Sequence, residues 1–317
     1  MDREALREKF RGALLGVAIG DALGAPFEGM GYVPEDSLLA QLEGEVGQLR
    51  YTDDTHMTLG VAESLVENQR FDGPHMAETF ARNYEQEPWR GYGPGPPQVF
   101  RLLRQGIPWD QAGRMLFGGA GSYGNGAAMR ITPVALAYYW DLIEMAKVAR
   151  QSAVITHAHE LGIQGALLQA FAVALLVEQP PNARLSGSAF SELLITYATD
   201  ASAALYAHKL KEVKELLPDA SPLELASRLG NGIEAYQAVP AALYSFLSHP
   251  ASFSEALRYA IRLGGDTDTI ASMTGALSGA YLGESAIPLN WRKSLEGTAR
   301  IGELADALLE LAFSRKK

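Results

Sequence analysis

The 317-residue sequence predicts an all-α fold arranged as one compact helical domain. Apolar residues recur at helical spacing along most of the chain, as in Met57, Val61 and Leu65. No stretch alternates apolar and polar residues convincingly with the period of two that strands require. A small helical cap on a helical body is the alternative arrangement, and the sequence leaves it open.

The predicted helices follow one another along the chain. Residues 4–24 form the first, and an apolar face over residues 57–66 marks the second. Further helical patterns cover residues 142–153, 161–178, part of 189–216, 270–281 and 296–313. Stretches rich in glycine, proline or polar residues predict loops at 87–97, 118–126 and 179–188.

Glycines occur at four-residue spacing inside two of the predicted helices. Each glycine in a helix costs about 1 kcal/mol relative to alanine. Their recurrence on one face therefore favours helices whose backbones approach closely. The glycines concerned are Gly12, Gly16, Gly20 and Gly24 in the first helix and Gly275 and Gly279 in a later one.

Composition narrows the class of protein. A 47% hydrophobic and 20% charged chain is typical of globular proteins, and the absence of cysteine excludes disulfides, thiolate nucleophiles and cysteine-ligated metals. A net charge of -10 without a Lys/Arg cluster argues against non-specific binding to nucleic acid or an anionic membrane. We expect a cytoplasmic protein with no membrane partner.

Two apolar segments need a separate explanation. Acidic residues spoil the positive N-terminal region that a signal peptide would need, and Asp21 interrupts the following apolar run. Residues 161–177 contain two glutamines and fall short of the roughly 20 apolar residues of a membrane span. We expect both segments to be buried helices.

Two acidic clusters precede predicted helices. They are Tyr51-Thr52-Asp53-Asp54-Thr55 and Gly264-Gly265-Asp266-Thr267-Asp268-Thr269. Helix capping explains one aspartate in each, but two neighbouring carboxylates, twice, exceed what a cap needs and require a counter-charge. Oxygen ligands without Cys or His suit Mg²⁺, Mn²⁺ or Ca²⁺, and four aspartates can hold two ions with one carboxylate bridging. Sequence spacing leaves open whether the clusters meet.

A glycine-rich segment and a histidine pair are weaker signals. Residues 118–126 hold five glycines, which allow backbone N–H groups to surround an anion such as a diphosphate. A plain flexible connection is the alternative. His157 and His159 lack further metal-ligating partners nearby, so a hydrogen bond from His157 to phosphate or ribose competes with a capping or solvent-facing role. We interpret His56 as structural or as a support for the acidic cluster.

Together these segments resemble the ADP-ribosylglycohydrolase family, which includes the dinitrogenase reductase-activating glycohydrolases. The resemblance runs from Gly12 to about Gly283, and the joint occurrence of its motifs in this order is what makes it specific. The motifs are residues 12–16, Gly20-Asp21-Ala22-Leu23-Gly24 with Glu28, the first acidic cluster, Arg90-Gly91-Tyr92-Gly93, residues 124–130, Thr156-His157 and the second acidic cluster.

The resemblance implies an ADP-ribosylglycohydrolase-like domain over residues 1–317 with a dinuclear Mg²⁺ or Mn²⁺ centre. By this resemblance Thr52, Asp53 and Asp54 bind one ion, Asp266, Asp268 and Thr269 bind the other, and Asp268 bridges. It places Glu28 near the metals. The substrate-binding positions that it implies are Tyr92, Ser122, Tyr123, Gly124, Asn125 and His157. At Tyr123 the family varies in side chain, so the resemblance assigns a role to its backbone more than to its ring.

The implied reaction is hydrolysis at the anomeric carbon of the distal ribose in an ADP-ribose conjugate. Such cleavage needs an acid on the leaving group and a base on water. Asp53, Asp54, Asp268 and Glu28 are the candidate catalytic carboxylates. Asp53 or Asp54 would take the proton from water, while Glu28 would protonate the leaving atom or open to admit substrate.

The substrate is an ADP-ribose-conjugated protein or small molecule, and nucleic-acid-linked ADP-ribose is also compatible. The sequence leaves the leaving group and the oligomeric state open. The competing functions are a two-metal phosphoesterase and a catalytically inactive ADP-ribose-binding protein.

Overall fold

The computed structural model describes residues 2–38, 47–180, 183–198 and 203–316, and these residues form α-helices with no named strand. The first half contains α1 (Arg3–Gly24), α2 (Asp53–Asn68), α3 (Gly73–Gln86), α4 (Gly95–Arg104), α5 (Trp109–Ala112), α6 (Gly126–Met129), α7 (Thr132–Ala137), α8 (Leu142–Val154) and α9 (Glu160–Val177). The second half contains α10 (Gly187–Tyr197), α11 (Ala203–Leu216), α12 (Pro222–Leu229), α13 (Ala235–Ser248), α14 (Phe253–Arg262), α15 (Thr267–Leu282), α16 (Leu289–Ser294) and α17 (Thr298–Arg315).

Helices α1 and α15 form a tightly packed antiparallel pair at the centre of the fold. Gly16 packs on Gly275, where an added Cβ at Gly16 would lie 2.1 Å from the Gly275 carbonyl oxygen. The same close approach repeats along the pair. It joins Gly12 to Gly279, Gly20 to Ala271, and Gly24 to Thr267 and Asp268. The glycine stripes are therefore packing surfaces, as their spacing predicts.

The other long helices surround this pair. α9 is buried along nearly its whole length, and α13, α14 and α17 pack around α1 and α15. Among the described residues, two helical segments are long and apolar enough to cross a membrane. They are α1 with the 3-10 turn that follows it, Arg3–Phe27, and α9, Glu160–Val177. The fold buries 83% and 78%, respectively, of the most apolar part of each segment. This burial is what we expect of core helices.

The structure confirms the predicted helices and shortens the predicted loops. α4 begins at Gly95, so the loop predicted at 87–97 ends earlier than expected. A 3-10 turn at Gly113–Gly119 enters the loop predicted at 118–126. In the third predicted loop α10 begins at Gly187, and residues 181–182 of that loop lie outside the described residues.

Candidate active site

The pairing of α1 with α15 brings acidic residues to one end of the helix pair. Thr267, the first residue of α15, donates from its hydroxyl to the carbonyl oxygen of Gly24, 2.9 Å away, at the end of α1. Glu28 follows α1 after a single 3-10 turn. One carboxylate oxygen from each of Glu28, Asp266 and Asp268 lies within 4.8 Å of the others.

The two acidic clusters meet through Asp54. The Thr269 hydroxyl donates to Asp54 Oδ2 over 3.3 Å, which joins the start of α2 to the start of α15. The other oxygen, Asp54 Oδ1, is buried and has no hydrogen-bond partner among the described residues. A buried carboxylate oxygen without a partner is costly unless a cation sits beside it.

Burial and mutual repulsion raise the pKa values of these carboxyl groups. Burial is the larger cause in each case, and it raises the pKa of Asp53 to about 7 and that of Asp268 to about 9. The pKa of Asp54 rises well above its ordinary value through burial and the neighbouring Asp268. In the described part of the chain, no Lys or Arg forms a salt bridge with them, although the charge of Arg130 acts on Asp53 from beyond contact distance.

This set of donors fits hard divalent cations. The cluster consists of carboxylate oxygens, the Thr269 hydroxyl lies beside them, and the Thr52 hydroxyl is held by Asp21 at the start of α2. The unpartnered Asp54 Oδ1 is the oxygen that a cation would satisfy. The helix starts favour negative charge here, although the repulsion among the carboxylates exceeds what a helix dipole offsets.

Sequence reasoning missed the role of Asp21. This fully buried residue of α1 accepts hydrogen bonds from the backbone N–H and the hydroxyl of both Thr52 and Thr55, over 2.6–3.1 Å. It therefore fixes the segment that begins α2. The available signals were a lone aspartate inside an otherwise apolar, helical run and its place in the motif Gly20-Asp21-Ala22-Leu23-Gly24, neither of which indicated its partners.

The glycine-rich segment forms one wall of a cavity of about 340 Å³ over the acidic residues. Asn125 donates from Nδ2 to Asp266 Oδ2, 2.5 Å away, and its backbone N–H donates to the carbonyl of Ile233. The cavity wall unites predicted metal-binding and substrate-binding residues. They are Glu28, Asp53, Asp54, Asp266, Asp268 and Thr269 together with Ser122, Gly124, Asn125 and His157.

Three predicted residues lie beside this cavity and do not line it. Tyr92 places its hydroxyl 2.8 Å from His56 Nδ1, while the neighbouring glycines of its loop reach the wall. Thr52 is turned toward Asp21. Tyr123 is 48% exposed, and its ring packs near His159. Their predicted contacts with metal or substrate stay predictions.

Several lining residues were not among the predicted site residues. Met57, Phe117, Arg130 and Ile233 line the cavity because the fold brings four separate segments together there. A larger cavity of about 720 Å³ lies around Lys9 at the opposite end of α1, away from the acidic cluster. The smaller cavity is the candidate active site because it holds the carboxylates.

A helical fold whose clustered carboxylates lie under a glycine-rich wall is suited to a hydrolytic enzyme that uses hard cations. The sequence matches the family described as ADP-ribosylglycohydrolase over residues 2–317. The ADP-ribosylhydrolase ARH3 of Gallus gallus is 39% identical, over 96% of this chain and 93% of that protein. The ADP-ribosylhydrolase ARH3 of Mus musculus is 40% identical, over 95% and 90%.

A solved structure titled ADP-ribosylglycohydrolase-related protein complex superposes with a TM-score of 0.73 at 28% identity, covering 98% of this chain and 99% of the other. The chain therefore belongs to the ADP-ribosylglycohydrolase family. It is a hydrolase that removes ADP-ribose from conjugates.

Proposed function

We propose that this chain cleaves the bond at the anomeric carbon of the distal ribose with the help of two Mg²⁺ or Mn²⁺ ions. The supporting observation is the meeting of the two acidic clusters, where Asp54 Oδ1 is buried without a hydrogen-bond partner in the described part of the chain and lies near Asp268, whose pKa is raised. Capping alone would leave neither group in this position. Bound cations would neutralise the repulsion that burial imposes.

The residues that would hold the ions come from both helix starts. Thr52, Asp53 and Asp54 would hold one, and Asp266, Asp268 and Thr269 the other, with Asp268 shared. When bound, such ions supply a Lewis acid for the ribose hydroxyls and lower the pKa of a water molecule.

The carboxylates divide the proton transfers according to their surroundings. Asp53 and Asp54 lie at the floor of the cavity and would take the proton from the attacking water. Glu28 is the most exposed of the acidic lining residues, and burial together with Asp266 raises its pKa. Because it is the acidic lining residue most open to solvent, Glu28 would be the one to give a proton to the leaving atom.

The glycine-rich wall would bind the ADP-ribose moiety. Gly124 and Gly126 allow the backbone to pack directly against His157, and this wall would present its backbone N–H groups and the His157 ring to an anionic diphosphate. The Asn125 side chain in this wall donates a hydrogen bond to Asp266. This contact would keep the ribose-binding end of the cavity at a fixed position relative to the carboxylates. The conjugated protein, small molecule or nucleic acid would extend outward past Glu28.

A panel of defined conjugates tests this function. Arginine-, serine-, acetyl-, nucleic-acid-linked and polymeric ADP-ribose are incubated with the protein in Mg²⁺, in Mn²⁺ and in EDTA, and the products are separated by chromatography. We expect free ADP-ribose with an intact diphosphate from at least one conjugate, and loss of this product in EDTA. Phosphate and AMP as products would establish a phosphoesterase instead, and metal binding without any product would establish a binding protein.

Asp268→Asn tests the proposed metal site within the same assay. The substitution removes one buried like charge, so the protein should remain folded while metal-dependent release of ADP-ribose disappears. Asp219→Asn is the matched control because Asp219 is an exposed residue beyond α11, outside the cavity wall. Turnover close to that of the unmodified protein in Asp268→Asn would reject the scheme.

A further inference from the structure

His157 is held on the cavity wall by contacts on both sides of its ring. The residue is 7% exposed, and its Nδ1 lies 2.7 Å from the hydroxyl oxygen of Thr156. The opposite edge faces the glycine-rich wall. A Cβ added at Gly126 would lie 2.9 Å from Nε2, and one added at Gly124 would lie 3.5 Å from it.

A buried arginine, Arg130, contacts both Thr156 and the glycine-rich wall. Arg130 is fully buried, and its Nη1 donates to the Thr156 hydroxyl oxygen over 2.8 Å and to the carbonyl of Gly126 over 3.0 Å. Its Nη2 donates to the carbonyl of Ser152. The guanidinium also lies 5.0 Å from the centre of the Phe80 ring, so its position is fixed on several sides.

These contacts determine where the proton of the imidazole lies. An arginine side chain can only donate hydrogen bonds, so the Thr156 hydroxyl accepts from Arg130 and keeps its own hydrogen to donate. In the part of the chain that the structure describes, the other contact of this hydroxyl is His157 Nδ1. The hydroxyl oxygen has a second lone pair that could accept from an Nδ1–H group, but its own hydrogen would then be buried without an acceptor among the described residues, which is costly. The favoured arrangement therefore has Nδ1 accepting and the ring proton on Nε2.

We propose that Arg130 and Thr156 are positioning residues that fix His157 as the Nε2–H tautomer, so that it donates a hydrogen bond to a phosphate oxygen of ADP-ribose. The opposite tautomer would turn a nitrogen lone pair toward the anion and repel it. The identity of the anion rests on the proposed function, whereas the tautomer rests on the hydrogen bonds alone.

The electrostatic surroundings agree with a neutral ring. Burial, followed by the charge of Arg130, lowers the pKa of His157 to about 3, so this residue carries no charge at neutral pH. A neutral imidazole has one N–H and one lone pair, and its function depends on which nitrogen carries the hydrogen. The hydrogen bonds of Arg130 and Thr156 place the hydrogen on Nε2 before any ligand binds.

Nuclear magnetic resonance of the protein labelled with ¹⁵N-histidine tests the tautomer directly. Long-range correlations from the ring carbons' hydrogens distinguish a protonated from a non-protonated nitrogen, and a His157→Gln variant assigns the signal among the six histidines. We expect the Nε2–H pattern in the unmodified protein without ligand. An Nδ1–H pattern would overturn the proposal.

Two variants at Thr156 separate positioning from simple packing. Thr156→Val keeps the shape and removes the hydroxyl, and we expect it to lose the pure Nε2–H pattern and to bind ADP-ribose about tenfold more weakly in calorimetry. Thr156→Ser retains the hydroxyl and should restore both properties. If Thr156→Val kept the pattern and the affinity, the positioning role would be refuted.

The proposed function fails independently of this inference. An unmodified protein that shows the Nε2–H pattern but does not bind ADP-ribose would refute the proposed ligand and leave the tautomer assignment standing. An unmodified protein that binds ADP-ribose while showing the Nδ1–H pattern would refute the positioning role and leave the function standing.

Discussion

Replacing Gly16 with alanine tests the packing that organises the whole molecule. A Cβ at this position would lie 2.1 Å from the carbonyl oxygen of Gly275 and 2.6 Å from its carbonyl carbon. Both are backbone atoms, which cannot rotate away as a side chain can. An ordinary contact begins at 3.4 Å, so α1 and α15 would have to separate by about 3.4 − 2.1 = 1.3 Å at this point.

Two opposing effects set the magnitude. Alanine gains about 1 kcal/mol over glycine in an isolated helix. Overpacking costs about 1–3 kcal/mol and more where the backbone must shift, and here the separation would also open the contacts at Gly12 and Gly20 on the same face. We expect a net loss of about 2 kcal/mol in the free energy of unfolding, which for a chain of 317 residues corresponds to a fall of roughly 3 °C in Tm.

Thermal and denaturant unfolding followed by circular dichroism measure this loss. Gly302→Ala is the matched control because Gly302 lies inside α17 and the nearest atom to its added Cβ, Arg11 Cζ, is 3.9 Å away. That variant should be unchanged or more stable by up to about 1 kcal/mol. If Gly16→Ala were as stable as Gly302→Ala, the close approach of α1 and α15 would be refuted.

Two further predictions concern the acidic site. Asp21→Asn replaces a carboxylate that accepts hydrogen bonds from the N–H and O–H groups of Thr52 and Thr55. We expect Mn²⁺ affinity, measured by calorimetry, to fall about 10–100-fold while helical content is retained. Unchanged affinity would show that Asp21 does not support the metal site. The raised pKa values of Asp53 and Asp268, about 7 and about 9 against an ordinary 3.8, mean that without metal the folded state binds more protons than the unfolded state. Stability in EDTA should therefore fall as pH rises from about 4 to about 9, and saturating Mn²⁺ should flatten this slope in pH-dependent Tm measurements; equal slopes with and without Mn²⁺ would contradict it.

The sequence predicted those helices whose signal is local. The apolar period that marks α1, α8, α9 and α17 acts over neighbouring residues, and the structure places these helices close to their predicted bounds. α13 shows the limit, because Pro240 lies inside it and would ordinarily interrupt a helix. Its stability comes from burial by surrounding helices, which no local pattern reveals.

The candidate active site also has features that the local sequence predicts and features that depend on distant residues. Each acidic cluster could be recognised from its own residues, but their contact through Asp54 and Thr269 depends on a separation of 215 residues along the chain. The glycine stripes predicted close packing, yet not that Gly16 would meet Gly275. Arg130 and Asp21 lie within motifs that were named from the sequence, but they were given no role because their importance comes from partners that are distant in sequence.

One helix, α1, joins the two halves of the acidic site. Asp21 accepts four groups from the start of α2, and three residues later Gly24 lies against the backbone of Asp268, where an added Cβ would be 2.6 Å from its Cα. The distance between the two carboxylate clusters is therefore set by less than one turn of α1. Because the glycine contacts also hold α1 on α15, the packing that stabilises the core is the same packing that brings the carboxylates together, and any separation of the two helices must disturb both.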